Sequence, residues 1–442
     1  MHLFLYEQLN ILYKSIVPTS GISPITTSSR DSRASTPSAS KVTLVEIGSG
    51  EWQLQRNGES HTIRGAGGSE HLEVLKRAGG NTVRTWGIDQ LENSPGGNTF
   101  LDRCADLGLN VMLGLWVVHP RHGGDYGNPK FIHRQRDRIR ASVRTYRDHP
   151  ALLLWGLGNE MEEDGEDPRI WQELEILAQI VKEEDPHHPV CTVVAGTDND
   201  KIQRMMEYYT SLDLLGVNIY GGAEQVDQRL TEQGWTRPYL LTEFGPVGHW
   251  EVETTPWGAP IEPTSAEKLS TYARAHRAQF EQSRGLCLGT FCFIWGHKQE
   301  TTATWFGMFL QSGEKTPMVD AMQRIWTGEE PAYRSPIITG LHSSLCENVA
   351  PPKSIHEVRV TFSHPDQGPL DFEWLIVAET RDRRSGGDAE ETPPTISGCV
   401  RETLGDRARI QLPETTGAYR VFIFLRDENG GGDAANFPFY VE

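Results

Sequence analysis

LLLWGLGNE, residues 152–160, runs apolar or glycine as far as Gly158 and then ends on an amide and a carboxylate, Asn159 and Glu160. Apolarity without alternation is the pattern of a strand buried on both faces of a parallel sheet. Seven further runs share it: HTIRGAG (61–67), NTVRTWG (81–87), NVMLGLWVV (110–118), PVCTVVAG (189–196), LLGVNIYG (214–221), YLLTEFG (239–245) and GTFCFIWG (289–296). The segments between them read as helices. Ile170, Leu174, Leu177 and Val181 fall on one stripe behind Pro168, and residues 69–78 stop at Gly79-Gly80. Thr316-Pro317 opens a last helix with Val319, Met322, Ile325 and Trp326 inward. Eight strand–helix units over roughly 270 residues have the size and period of a TIM barrel. A doubly wound open sheet is the alternative, and GAGG at 65–68 is a weak match to its phosphate turn.

The pattern changes on both sides of this region. Residues 19–41 are rich in Ser, Thr and Pro, so residues 1–41 read as a disordered N-terminal segment and linker. The barrel is expected over 42–330. From 335 to 442, HEVRVTFSHP, DFEWLIVAET, RARIQLPE, GAYRVFIFLRD and ANFPFYVE carry strand alternation and are separated by turns such as DENGGGD. This predicts a C-terminal β-sandwich, immunoglobulin- or fibronectin-III-like, with RRSGGDAEETPP (383–394) as a long exposed loop. The fold class expected is therefore α/β, a (β/α)8 TIM barrel followed by a β-sandwich. The sandwich is expected mainly to pack on the barrel.

The formal charge of −18 repels phosphate backbones and anionic lipid, which argues against nucleic acid and membrane surfaces as partners. Neutral molecules such as sugars are not repelled, and twelve Trp offer flat faces on which sugar rings can stack. No apolar run is long enough to span a membrane. The opening MHLFLYEQLNILYKSIVP has Glu7 and no basic start, a poor signal peptide. It leaves the compartment open, a secreted or periplasmic one included. The six Cys are scattered and read as buried thiols, with Cys346 and Cys399 able to pair in an exported protein. Oligomeric state is not written in these patterns.

In a TIM barrel the chemistry sits at the C-terminal strand ends. The fourth run ends in Glu160, and the seventh ends in Thr242-Glu243-Phe244-Gly245. A carboxylate there is costly to desolvate without a role or a partner. Two opposed carboxylates are what glycosidic cleavage uses, one to protonate the leaving oxygen and one to attack the anomeric carbon.

WGLGNE followed by LLTEFG resembles the acid/base and nucleophile signatures of the retaining TIM-barrel glycoside hydrolases. LQRNGESHTIRGAGG with LEVLKRAGGNTVRTW is similar to the start of the catalytic barrel of glycoside hydrolase family 2. Family 5 enzymes and fungal β-1,3-glucanosyltransferases are also similar. The resemblance implies Glu160 as general acid/base, Glu243 as nucleophile and Asn159 as a ligand of the sugar 2-hydroxyl. It implies Arg84 as the cation beside the nucleophile, Tyr220 as its hydrogen-bond donor and Trp295 as the platform under the sugar. Family 2 barrels follow sandwich domains, whereas this one follows a linker, so family 2 substrates such as β-galactosides are not carried over.

Trp86, Trp116 and His119 stand at or just beyond strand ends and are expected to line the cleft. Trp250, Trp257 and Trp305 lie in later loops as candidate sugar subsites or buried anchors. His119, His122 and Asp125 form an HxxH-like group in a Pro- and Gly-rich loop, a poor metal site, and His187-His188 reads as surface. The expected activity is retaining cleavage of a neutral β-linked oligo- or polysaccharide without cofactor or metal. Transglycosylation by the same pair and an inactive glycan-binding protein are the alternatives.

Overall fold

The computed structural model describes residues 40–442 except 49, 93–98, 163–166, 281–283 and 385. Of the segment expected to be disordered over 1–41, residues 1–39 lie outside the described residues, while Ser40 is buried and bonds the Leu152 carbonyl at 2.6 Å. Three short antiparallel strands come first, β1 (Val42–Gly48), β2 (Glu51–Arg56) and β3 (Glu59–Ser60).

Eight parallel strands then close into a barrel: β4 (Ile63–Gly67), β5 (Thr82–Arg84), β6 (Asn110–Leu115), β7 (Leu152–Leu157), β8 (Val190–Ala195), β9 (Leu214–Asn218), β10 (Tyr239–Phe244) and β11 (Cys287–Cys292). Each matches one of the eight apolar runs. Nearly all of their residues are buried, because the inner face fills the barrel and the outer face meets helices. The helix Pro168–Glu184 shows the local logic. Pro168 occupies its first turn, the Asp167 side chain accepts from the Arg169 amide, and Ile170, Leu174, Leu177 and Val181 are buried.

The β1–β3 sheet was not anticipated. Its Val42 and Leu54 pack with Ile63, Met112, Leu154, Val193, Leu214, Leu240 and Phe291 of the barrel interior. The Val42 and Trp52 amides donate to the carbonyls of His187 and Gly285, which precede β8 and β11. The hairpin therefore plugs the N-terminal end of the barrel, opposite the end where chemistry is expected. His188 bonds into this end of the barrel and is buried, which corrects the surface reading for it, while His187 is exposed as expected. The His188 Nδ1 bonds Asp185 at 2.8 Å and its Nε2 bonds Ser40 Oγ at 2.9 Å.

Beyond the barrel, β12 (Ile337–His342), β14 (Ile355–Ser363), β17 (Arg407–Gln411) and β16 (Val400–Leu404) form one sheet. β13 (Val349–Ala350), β19 (Gly432–Val441), β18 (Gly417–Asp427) and β15 (Leu370–Ala378) form the other. Val358, Val360, Trp374, Val421, Ile423, Phe437 and Phe439 fill the space between them. All six cysteines are free thiols, so Cys346 and Cys399 are not paired. Among the described residues, no helix is long and apolar enough to cross a membrane.

The sandwich is joined to the barrel by buried polar contacts. Glu262 of the barrel accepts from Lys268 (2.6 Å), Thr302 (2.5 Å), Thr304 (2.9 Å) and Asn436 of β19 (2.6 Å). Arg420 of β18 donates to Asn436 Oδ1 and the Pro260 carbonyl, both at 2.7 Å. Asp433 accepts from Ser265 Oγ at 2.5 Å. A buried network with every partner in place fixes orientation more sharply than an apolar contact.

Candidate active site

β4–β11 bring their C-terminal ends to one mouth, and a cleft of about 1260 Å³ opens there. That exceeds the roughly 300–1,000 Å³ of pockets for a single small molecule. Asn159, Glu160, Asn218, Tyr220 and Glu243 line it.

Glu243 is held by three side-chain donors. Its Oε1 accepts from Arg84 Nη1 at 2.9 Å and from the Trp86 indole at 2.9 Å, and its Oε2 accepts from the Tyr220 hydroxyl at 2.8 Å. Arg84 is buried at the end of β5, and it also donates to the Thr242 carbonyl at 2.8 Å and to Asn159 Oδ1 at 2.6 Å. Its guanidinium lies 5.1 Å from the Trp86 ring centre. Gly114 makes room for this. A Cβ there would stand 2.3 Å from the Trp86 carbonyl carbon.

Glu160 has a different environment. Gly158 (φ 73°) and Glu160 (φ 51°) are both left-handed, so the chain turns sharply where it leaves β7. Its Oε1 accepts from Asn218 Nδ2 at 2.8 Å. Burial pushes its pKa up to about 7, the Glu243 carboxylate adds to the rise, and the Asn218 hydrogen bond opposes it.

Asn218 links Glu160 to Arg84, the residue that holds Glu243, and was missed in the sequence. It pairs with Glu243 across β9 and β10. Its Nδ2 reaches Glu160 and Asn159, and its Oδ1 accepts from Thr242 Oγ1 at 2.8 Å and Arg84 at 3.3 Å. Its signal is an amide that ends the buried run LLGVN, two residues before Tyr220.

Glu160, Glu243, Asn159, Arg84, Tyr220 and Trp86 thus converge, and Trp116 lines the same cleft. Two expectations are corrected. Trp295 is buried away from the mouth, where its indole donates to the His71 carbonyl at 3.2 Å and its ring packs on Phe309 and Trp326. The chain leaves β11 at Cys292, and it is Phe293 and Ile294 that face the cleft. His119 lies beneath the surface, its Nδ1 accepting from the Arg121 amide at 3.0 Å and its ring bonding the Glu160 backbone. Burial and the Arg121 charge push its pKa down to about 4. His122 pairs with Asp388 at 2.9 Å. Of the loop tryptophans, Trp250 lines the cleft, 59% exposed, with its ring edge-on to Tyr220. Trp305 is buried with its indole on the Val247 carbonyl, and Trp257 packs against Tyr440 of the sandwich.

A closed eight-stranded barrel with two glutamates at the ends of its fourth and seventh strands has the form of a TIM-barrel glycosidase. Comparison with known proteins agrees. Residues 95–249 match the model described as "Glycosyl hydrolases family 2, TIM barrel domain". A putative β-glucuronidase of Formosa agariphila is 24% identical over 177 residues, covering 39% of this chain and 14% of that protein. The β-D-glucuronidase structure from Dictyoglomus thermophilum superposes with a TM-score of 0.50 at 15% identity, over 66% of this chain and 54% of that one. A Bacteroides uniformis β-glucuronidase structure gives 0.48 at 14% identity, over 89% and 47%. The chain thus spans 14% of the curated relative and about half of each of these solved chains. Over residues 95–249 the barrel is similar to the TIM-barrel domain of family 2 glycosyl hydrolases.

Proposed function

We propose that the protein is a retaining glycoside hydrolase with Glu243 as nucleophile and Glu160 as general acid/base. The observation that carries this is the contrast between the two carboxyl groups. Glu243 accepts from three side-chain donors that fix its carboxylate at the cleft, whereas burial and Glu243 keep Glu160 protonated to about pH 7. A carboxylate held in place by donors and a carboxyl kept protonated divide the work of nucleophile and acid.

In the first step Glu243 attacks the anomeric carbon as the glycosidic C–O bond breaks, and Glu160 gives its proton to the departing oxygen. In the second, Glu160 takes a proton from water, which displaces Glu243. Asn159 Oδ1 already accepts from Arg84 and Asn218, so its amide N–H groups are left to meet a sugar hydroxyl. Trp250, exposed beside Tyr220, supplies the stacking face expected of Trp295.

The substrate proposed is a neutral β-linked glycan. Four cations line the cleft among the described residues, and each has an acidic partner. These are Arg229 with Asp198, Lys298 with Glu300, Arg383 with Glu379 and Arg384 with Asp382. A sugar carboxylate would compete with those partners. The two solved structures named above are β-glucuronidases, so the test is a panel of aryl β-glycosides that includes the glucuronide, followed by proton NMR of the first-formed anomer. A neutral sugar turned over with retention is the expected result. An inverted first product overturns the nucleophile, preference for the glucuronide overturns the neutral substrate, and binding without turnover favours a glycan-binding protein.

A further inference from the structure

The loop between β15 and β16 was expected to be exposed on the sandwich. Arg383, Arg384 and Gly386 are indeed exposed, but the loop lies at the barrel mouth, and Arg383, Arg384, Gly386, Gly387 and Asp388 form part of the cleft wall. Five contacts hold it there. Arg121 Nη2 donates to the Gly386 carbonyl at 3.3 Å, and His122 pairs with Asp388 at 2.9 Å. Lys298 Nζ donates to the Gly387 carbonyl at 2.9 Å, the Thr301 amide donates to Glu390 at 2.6 Å, and Arg383 Nη1 donates to the Gly258 carbonyl at 2.7 Å. The loop is thus tied to segments that follow β6, β10 and β11. Gly386 (φ 64°) and Gly387 (φ 71°) are both left-handed, the conformation that turns the chain inward and that side-chain-bearing residues resist.

We propose that this loop builds a second sugar-binding subsite, which holds rings of the glycan beyond the one that reacts, with Arg384 as its hydrogen-bond donor. The inference rests on the glycosidase reading above. Three observations converge on it. The cleft is larger than one ring requires. Its wall on this side comes from the sandwich and not from the barrel. Arg384 Nε is held by Asp382 at 2.9 Å and its backbone amide by Glu390 at 3.1 Å, while the side chain stays half exposed at the cleft. A guanidinium fixed by one edge presents its remaining N–H groups to sugar hydroxyls with little further ordering. Glu390 bridges the Thr301 and Arg384 amides and is the positioning residue.

The test compares two substrates of the wild-type protein with Arg384→Ala and Glu390→Ala: an aryl β-glycoside with one sugar, and a β-linked tetrasaccharide of the same sugar. The readout is the ratio of kcat/KM for the tetrasaccharide to that for the aryl glycoside. Loss of one charge-assisted hydrogen bond lowers that ratio about tenfold, through KM and not kcat, with Arg384→Lys recovering part of it. Unchanged melting temperatures separate this from unfolding. A ratio that stays put in both Ala variants overturns the subsite. If the wild type turns over neither substrate, the glycosidase reading fails, and tetrasaccharide binding followed by tryptophan fluorescence decides the loop. Weaker binding by Arg384→Ala keeps the inference, while equal binding or none overturns it.

Discussion

The Trp86 indole donates to Oε1 of Glu243 at 2.9 Å, the same oxygen that takes a guanidinium N–H from Arg84. Trp86 is therefore part of the carboxylate's cradle as well as part of the cleft wall. Trp86→Phe keeps the apolar face and removes only this donor. A hydrogen bond to a charged group contributes about 1.5–3 kcal/mol, so kcat/KM on an aryl glycoside is expected to fall roughly 10- to 100-fold. Steady-state kinetics beside Trp116→Phe, whose indole is not bonded to Glu243, gives the comparison. Equal losses in the two variants would show that the donor is immaterial.

Glu160 must carry a proton to act as acid, and its pKa is raised to about 7. The kcat/KM profile is therefore expected to fall as pH rises through about 7. Part of that elevation is the field of Glu243, so Glu243→Gln should lower the pKa of Glu160 while cutting kcat by about 10⁴-fold or more. Carbon-13 NMR of the Glu160 carboxyl reads the first and single-turnover kinetics the second. A Glu160 pKa that holds steady in the variant would assign the rise to burial alone.

The same elevation has a consequence for stability. A carboxyl whose folded pKa exceeds its unfolded value supports the fold fully below the unfolded pKa, and that support is lost as pH rises through the folded one. For Glu160 the window runs from about 4.5 to about 7. Glu160→Gln removes the ionisation, so its melting temperature should exceed that of the wild type at pH 8, with the difference shrinking toward pH 4. Differential scanning fluorimetry across that range checks the sign. An excess that is constant with pH would mean that titration of Glu160 is not the cause.

The barrel and its carboxylates were legible because doubly buried strands leave an unbroken apolar signature, and a charge at the end of such a run stands out. Other features were hidden for identifiable reasons. Asn218 sits within an apolar run and looks like a core exception until its four contacts are seen. Trp295 was placed by resemblance alone, whereas the strand ends at Cys292 and Phe293 and Ile294 take the positions at the cleft. The β1–β3 plug does alternate, in VTLVEI and WQLQR, but that signal was absorbed into the barrel's expected span. The cleft loop is polar and glycine-rich, a composition that reads as exposed. Its docking depends on partners such as Arg121 and Lys298, far away in sequence.

The junction that aims this loop rests on Glu262, whose carboxylate takes Lys268, Thr302, Thr304 and Asn436 in a buried setting. Burial alone would raise its pKa, but the Lys268 charge and the hydrogen bonds outweigh it and hold the group below the usual carboxylate range. A depressed folded pKa contributes stability above the unfolded value and loses it as pH falls through the folded one, so acid should loosen the junction. Glu262→Ala leaves the Lys268 ammonium buried without its counter-ion, a change that costs about 3–5 kcal/mol. Glu262→Gln keeps the volume and part of the bonding and should cost less. Urea denaturation at pH 7 and pH 4 checks both expectations. The gap between wild type and Glu262→Ala should narrow at pH 4, because the wild type has by then lost part of what the variant lacks. A gap of equal width at both pH values would show that Glu262 acts there by packing and not by charge.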